Sequence, residues 1–341
     1  MSKVDFIHIG LGKCMSTRLQ DHWDLDPGYN SLSAREISNA IDHVIKGCFP
    51  RTPSFENDFS RIRINPPPVQ PGVINVLTAE DLTFSYLQNP ELGVAMETKD
   101  ETASRLLAPM TDKVLILVRN PTDWIRSCYA QHVKEGGCVP LQKFLITYRD
   151  VVLGNLNLTR RVALWSRFGA EVVILPIELA QRDDAAFWAA YEKRLGVSRP
   201  SNCSERLDAV RANVTSYGSV HAQRRLNEAV MQLESILAVS DLAQKGEMVT
   251  LMANARKHCF RRGFSMANDE QLSEIFETLN LASDERELGE VLLDADCLEA
   301  IETSFMAALR EDAHFAEYGC LEGYAQSQDA MGEPPALAAA S

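Results

Sequence analysis

The hydrophobic and polar positions of the first 200 residues alternate between two kinds of segment. Short apolar runs of strand length occur at 6–9, 73–78, 113–118 and 171–175. Helical patterns follow them, at about 16–23, 98–107, 122–134, 156–168 and 184–195. Capping-box spacings predict that one helix begins at Ser33 and runs to Val44, and that another begins at Thr98. Strands that alternate with helices indicate an α/β fold, a central parallel sheet flanked by helices on both faces.

After about residue 200 the pattern changes. Apolar runs of strand length disappear, and helical periodicity predicts helices at 219–239, 241–256, 269–279 and 295–310. We predict an α/β core at 1–200, a helical extension packed on it at 201–325, and a disordered tail rich in Ala, Pro and Ser at 326–341. Within the core, 24–72 is a loop-rich insertion. It is either a mobile flap over a site or a long surface connection.

Composition and charge narrow the function classes. The 341 residues carry a net charge of −13, which argues against broad nucleic-acid binding or an anionic membrane surface. No apolar run approaches the roughly 20 residues that span a bilayer, and the N-terminus lacks a signal-peptide pattern, so we predict a cytoplasmic protein. Eight cysteines without a CxxC spacing indicate free thiols and no metal site. An oligomer is possible.

The turn after the first strand carries the chemistry of an anion site. Gly10-Leu11-Gly12 ends the strand, Lys13 adds a full positive charge, and Ser16 and Thr17 stand where the helix begins. A helix N-terminus offers unpaired N–H groups and positive dipole character. The turn is neither a Walker A loop nor a Rossmann fingerprint. We predict a phosphate on six residues: Gly12, Lys13, Cys14, Met15, Ser16 and Thr17.

A second candidate anion-binding residue follows the strand at 113–118. A magnesium-dependent phosphotransferase needs a carboxylate near the end of such a strand. Here the strand ends in Arg119, whose guanidinium donates a bidentate fork to a phosphate. Ser127 comes eight residues later, a little over two helical turns, so the spacing places it toward the same crevice. The alternative is a surface ion pair for Arg119 and a solvent-facing Ser127.

These two segments resemble the sulfotransferases that use 3′-phosphoadenylyl sulfate. Residues 6–20 look like that family's 5′-phosphosulfate-binding loop, although the family usually has glycine where this chain has Met15. Residues 119–129 look like its 3′-phosphate motif: an arginine, a proline two residues on, a serine eight on, and a tyrosine two beyond it. The segment 163–197 is similar to the later part of its core. The resemblance covers about 1–200 and implies a P-loop-like sulfotransferase core.

The resemblance implies a role for each matching residue. Lys13 would contact the bridging oxygen and the 5′-phosphate, and Ser16 and Thr17 would donate to that phosphate. Arg119 and Ser127 would bind the 3′-phosphate. The implied donor is 3′-phosphoadenylyl sulfate (PAPS), and the implied product is 3′,5′-adenosine bisphosphate (PAP). The acceptor is a hydroxyl or amine of an unidentified molecule, and no metal is required.

An acceptor that loses a proton needs a general base. Glu80 is the first candidate, since it follows the strand at 73–78 and Thr78-Ala79-Glu80 resembles a Ser-Ser-Glu-like turn of bacterial members. Asp81 is the second candidate and His22 the third. The alternatives are helix capping for Glu80 and Asp81, and a surface imidazole for His22.

One later segment and two rival functions stay open. The basic run at 256–262 contains Arg261 and Arg262, which either return to the 3′-phosphate and adenosine or belong to a solvated helix end. The rival functions are a nucleotide kinase or other P-loop-type phosphotransferase, and a non-catalytic nucleotide-binding relative of the sulfotransferases.

Overall fold

The computed structural model describes residues 3–33, 37, 68–78, 93–203, 217–238, 245–256, 263, 269–278 and 291–324. Its centre is a five-stranded sheet in which all neighbouring strands are parallel, in the order β2-β3-β1-β4-β5. The strands are β1 (Phe6–His8), β2 (Tyr29–Ser33), β3 (Ile74–Thr78), β4 (Lys113–Val118) and β5 (Glu171–Pro176). The predicted α/β fold with a central parallel sheet is confirmed.

The strands that were predicted are those whose sequences are continuously apolar. Five of the six residues of β4 are buried, as expected of a parallel strand covered on both faces. Strand β2 was not predicted, because Tyr29–Ser33 reads YNSLS and carries no apolar run. It lies at the edge of the sheet, where all five residues pair with β3 and Asn30 donates to Asn75 (2.8 Å).

Eight α-helices are described before residue 204. They are α1 (Ser16–Leu25), α2 (Gly93–Leu107), α3 (Pro121–Lys134), α4 (Leu141–Thr147), α5 (Arg149–Leu156), α6 (Leu158–Arg167), α7 (Ile177–Arg182) and α8 (Asp184–Leu195). The bounds of α8 match the prediction, because Asp183 caps its first turn and Gly196 (φ 72°) ends it.

Three predicted helix starts do not match a helix start in the described residues. Helix α2 begins at Gly93, so the capping box at Thr98 is wrong and Thr98 lies inside the helix. The predicted helix at 156–168 is wrong at its start, because Asn157 accepts from the Arg160 N–H (3.2 Å) and caps a new helix there. Ser33 is the last residue of β2, and most of the helix predicted after it lies outside the described residues.

The C-terminal region is helical, as predicted. Helices α9 (Tyr217–Ala238), α10 (Lys245–Asn254) and α11 (Asp269–Thr278) are followed by α12 (Ala295–Ala300), a π-helical stretch (Ile301–Met306) and α13 (Ala307–Glu311). The described residues after 200 contain no strand. Within the described parts of the chain, no helix has the length and apolar character needed to cross a membrane.

The chain divides into two compact units. The first comprises Met1–Trp124, Asp150–Arg206 and Leu293–Ser341, and it contains the sheet; the second comprises Ile125–Arg149 and Leu207–Leu292. The predicted division at 200 and 325 stays a prediction, because compactness alone does not define an independently folding domain. The predicted disordered tail lies outside the described residues.

The strand order makes the carboxyl end of β1 the natural place for a ligand. Across the sheet, the connection from β1 to β2 runs toward the edge formed by β2. The connections from β3 to β4 and from β4 to β5 run toward the opposite edge, formed by β5. Right-handed crossovers therefore place α1 on the face opposite α2 and α6. Phe6 of β1 packs edge-on against Trp23 of α1 (5.6 Å) and Tyr191 of α8 (6.0 Å). A switch of face between neighbouring strands opens a crevice at their carboxyl ends.

Candidate functional site

The loop between β1 and α1 has an unusual backbone. Lys13 (φ 69°) and Met15 (φ 63°) are the non-glycine residues with positive φ in the described parts of the chain. A left-handed conformation costs an L-residue about 1–2 kcal/mol, so the surroundings must hold the loop in place. One such contact is the Trp124 indole N–H, which donates to the Gly12 carbonyl (2.8 Å). Turns of this kind aim successive backbone N–H groups into an anion-binding concavity.

The start of α1 contains an unsatisfied hydroxyl. Ser16 is 2% exposed, and its Oγ has no hydrogen-bond partner in the part of the chain that the structure describes. Met15 stands at the N-cap and makes no side-chain cap bond. A buried polar group without a partner costs free energy, and an oxyanion at a helix N-terminus would supply the missing acceptor. Cys14 is fully buried and Thr17 is exposed.

Arg119 lies at the same edge of the sheet as this loop. Strands β1 and β4 are parallel neighbours, with Ile7 opposite Val114 and His8 opposite Leu115. The turn after β1 and the turn after β4 therefore leave the sheet side by side. Arg119 is half-buried, and its guanidinium forms no hydrogen bond or ion pair with any of the described residues. The two predicted anion-binding elements, the loop after β1 and Arg119, thus lie at the same carboxyl edge of the sheet.

Ser127 lies on α3, half-buried, in the part of that helix that belongs to the second unit. Its place in one crevice with Arg119 stays a prediction. Arg256 of the predicted basic run pairs with Glu234 (3.0 Å), both in the second unit. Arg261 and Arg262 lie outside the described residues, as do Glu80 and Asp81.

His22 is buried, so the surface-imidazole alternative is wrong. Its Nδ1 lies 3.0 Å from Asn202 Oδ1, which places the proton on Nδ1, and Trp188 packs edge-on against the ring (5.5 Å). Burial lowers the pKa of His22, so the ring is neutral at pH 7. It lies six residues after Ser16, about 9 Å along the helix axis. Its role as a base stays a prediction.

His8 is buried in the core of the sheet. Burial lowers its pKa to about 3 and keeps the ring neutral. Its Nδ1 lies 2.9 Å from Thr78 Oγ1, and that hydroxyl also accepts from Gln20 Nε2 (3.1 Å). The end of β3, two residues before Glu80, is therefore tied to both β1 and α1.

Three residues at this edge were not predicted as site residues. Trp124 holds the first loop, as described above. Glu178 accepts from the Asn120 N–H (2.8 Å), beside Arg119, and also from the Tyr324 hydroxyl. Glu178 follows β5 as Arg119 follows β4, so its position at the carboxyl edge was a usable signal. Trp124 and Tyr324 carry no such signal, because their partners are more than 100 residues away.

A separate cavity of about 330 Å³ lies between α8 and residues 314–318 of the first unit. Its basic lining residues are already paired. Arg194 forms an ion pair with Asp312 (3.1 Å), Lys193 pairs with Glu317 (3.2 Å), and Arg182 donates to the carbonyls of Tyr318 and Gly319. The cavity therefore has less free positive charge than the edge that carries Arg119.

Replacing Met15 by glycine should raise the free energy of unfolding by about 1 kcal/mol, because glycine adopts positive φ without steric cost. Chemical denaturation measures the change. A matched Leu25→Gly substitution, at the exposed end of α1, should lower stability instead. A Met15→Gly variant less stable than the parent chain would mean that the Met15 side chain packs well enough to outweigh the strain.

No protein-family model, curated protein or solved structure matches this chain.

Proposed function

We propose that this chain is a sulfotransferase that moves the sulfuryl group from PAPS to a hydroxyl or amine of an acceptor. The observation that carries the proposal is the pairing of two predicted anion-binding elements that follow adjacent strands. One is the start of α1, where the Ser16 hydroxyl has no partner among the described residues, and the other is Arg119 after β4. A donor with phosphate at both its 5′ and 3′ positions needs two such elements.

The first loop fits the 5′-phosphosulfate end of the donor. Ser16 and the N–H groups of the first turn of α1 donate hydrogen bonds to the phosphate oxygens. Lys13 lies in the same turn and offsets the negative charge that develops on the leaving oxygen when the S–O bond breaks. Sulfuryl transfer needs in-line positioning and this charge stabilisation, and it needs little covalent chemistry from the protein.

Arg119 fits the 3′-phosphate, the group that distinguishes this donor from ATP. A half-buried guanidinium binds a phosphate with two parallel N–H bonds. Asn120 Oδ1 accepts from the Thr122 N–H (3.0 Å) and so caps α3 directly after Arg119. A kinase reading would instead need a carboxylate for magnesium at this position.

The acceptor must lose its proton as the new S–O or S–N bond forms. Glu80, Asp81 and His22 remain the candidates for the base that takes it. The Nε2 of His22 has no partner among the described residues and so offers a lone pair, but the burial that lowers the pKa of His22 also makes the ring a weaker base. Glu80 and Asp81 follow β3, the neighbour of β1 on its other side.

A binding comparison tests the proposal. Titration calorimetry should give tight binding of 3′,5′-adenosine bisphosphate, and weaker binding of ATP with magnesium. Binding of ATP with magnesium and none of the bisphosphate would favour the kinase alternative. Slow hydrolysis of PAPS then separates the enzyme from a non-catalytic relative, which would bind the bisphosphate and leave the donor intact.

Arg119→Ala should weaken the bisphosphate roughly 10- to 100-fold, the loss expected when a charged hydrogen-bond donor is removed. Affinity for adenosine 5′-monophosphate, which has no 3′-phosphate, should change less than about twofold. Arg310→Ala is the matched control, since Arg310 is an exposed arginine paired with Glu302. Equal losses for the two nucleotides would mean that Arg119 does not read the 3′-phosphate.

A further inference from the structure

The residue that follows Arg119 is held by three hydrogen bonds. The Asn120 N–H donates to Glu178 Oε1 (2.8 Å), its side-chain amide donates to the Gly323 carbonyl (3.3 Å), and its Oδ1 accepts from the Thr122 N–H (3.0 Å). The first of these bonds acts on the peptide group that joins Arg119 to Asn120. Because that group is planar and includes the Arg119 Cα, fixing its N–H restrains the backbone from which the Arg119 side chain leaves.

Glu178 is held in turn by Tyr324. The Tyr324 hydroxyl donates to Glu178 Oε2, the oxygen that Asn120 does not use. The Tyr324 ring is 1% exposed and packs against Phe315 (6.0 Å) and Phe305 (6.3 Å). Burial, and after it the charge of Glu178, raises the pKa of Tyr324 well above its usual value, so the hydroxyl keeps its proton. A buried aromatic residue thus holds one oxygen of the Glu178 carboxylate, and the Asn120 N–H holds the other.

The segment that carries Tyr324 also reaches the turn after β4. The Gly323 carbonyl accepts from Asn120, and the Tyr324 hydroxyl donates to Glu178. Residues 320–324 therefore reach the same edge of the sheet as the turns that carry Lys13 and Arg119. None of these residues was predicted to belong to the site.

We propose that Glu178 and Tyr324 form a positioning pair that makes the site selective for nucleotides with a 3′-phosphate. The inference rests on the proposed function, because it needs Arg119 to be the reader of that phosphate. The pair keeps the Arg119 backbone in its binding orientation before the nucleotide arrives. Such preorganisation spares part of the conformational entropy that would otherwise be lost when Arg119 is ordered on binding. The gain in affinity is confined to nucleotides whose 3′-phosphate contacts Arg119.

Tyr324→Phe tests the inference, since it removes the hydroxyl and keeps the ring. We expect the affinity for 3′,5′-adenosine bisphosphate, relative to that for adenosine 5′-monophosphate, to fall about tenfold. Tyr318→Phe is the matched control: Tyr318 is another buried tyrosine, six residues before Tyr324, and its hydroxyl accepts from Arg194 (3.2 Å). This control should leave the ratio of affinities unchanged. Glu178→Ala, which removes both acceptors, should lower the ratio at least as far as Tyr324→Phe does.

The outcomes distinguish a failure of the proposed function from a failure of the positioning pair alone. If the unaltered chain binds both nucleotides equally, the proposed function falls and this inference falls with it. If Arg119→Ala abolishes the preference while Tyr324→Phe and Glu178→Ala retain it, the proposed function stands and the positioning pair is overturned. If Tyr324→Phe and Tyr318→Phe lower the ratio equally, Tyr324 contributes only to stability, and the inference is again overturned.

Discussion

Lys13→Met should slow the hydrolysis of PAPS by about 10²- to 10³-fold, the usual loss when a group that stabilises transition-state charge is removed. Methionine keeps the length of the side chain and removes its charge. It also leaves the left-handed backbone at φ 69° no more strained than before, since both residues carry a Cβ. The rate of bisphosphate release, measured without an acceptor, reports the effect.

Two further variants make the Lys13 result specific. Lys13→Arg keeps the positive charge and should retain more of the rate than Lys13→Met. Lys3→Met removes an exposed lysine that pairs with Asp112 in the same unit, and should leave the rate unchanged. A Lys13→Met chain with the parent rate would show that Lys13 does not act on the leaving group.

Arg161→Met should lower the free energy of unfolding by about 3–5 kcal/mol, because it leaves a charged carboxylate buried without its partner. Arg161 on α6 pairs with Asp100 on α2 (3.1 Å), and the two side chains are 1% and 5% exposed. The same guanidinium donates to the Asn155 carbonyl (3.0 Å). Urea denaturation measures the loss. Lys193→Met, in the exposed pair with Glu317, should change stability by less than about 1 kcal/mol.

The pKa of Asp100 gives the same pair a pH dependence. Burial raises that pKa, and the nearby Arg161 charge only partly opposes the effect. A raised native pKa means that the folded state binds a proton more tightly than the unfolded chain, so stability falls as the pH rises through the shifted range. Removing Arg161 raises the pKa further. The deficit of Arg161→Met relative to the parent chain should therefore shrink as the pH is lowered from 7 toward 5. A deficit independent of pH would mean that Asp100 does not cause the loss.

Sequence patterns predicted the parts of the fold that depend on local chemistry. The apolar run of β4 and the caps of α8 could be read directly from the chain. Strand β2 could not, because its polar residues are held at the sheet edge by β3 and by the Asn30–Asn75 contact, which are distant in sequence. The predicted start of α2 was too late in the chain, because the sequence spacing of a capping box looks the same inside a helix as at its N-terminus.

The same division applies to the candidate site. The turns that carry Lys13 and Arg119 were recognisable, because a glycine turn or an arginine directly follows an apolar strand. Their supports were not, since Trp124 meets Gly12, and Tyr324 meets Glu178, only after the chain has folded. Lys13 and Met15 adopt the left-handed conformations, and Gly10 and Gly12 do not.

The central position of β1 has a consequence for the biosynthesis of the chain. Its sheet partners are made much later: Phe6 pairs with Val76, and Ile7 pairs with Val114. At a translation rate of roughly 5–20 residues per second, β4 is completed roughly 5–20 s after β1. Until β3 is made, roughly 4–14 s after β1 at the same rate, β1 has no sheet partner. Contacts so distant in sequence also slow folding, so this segment of the nascent chain is one that a chaperone would shield.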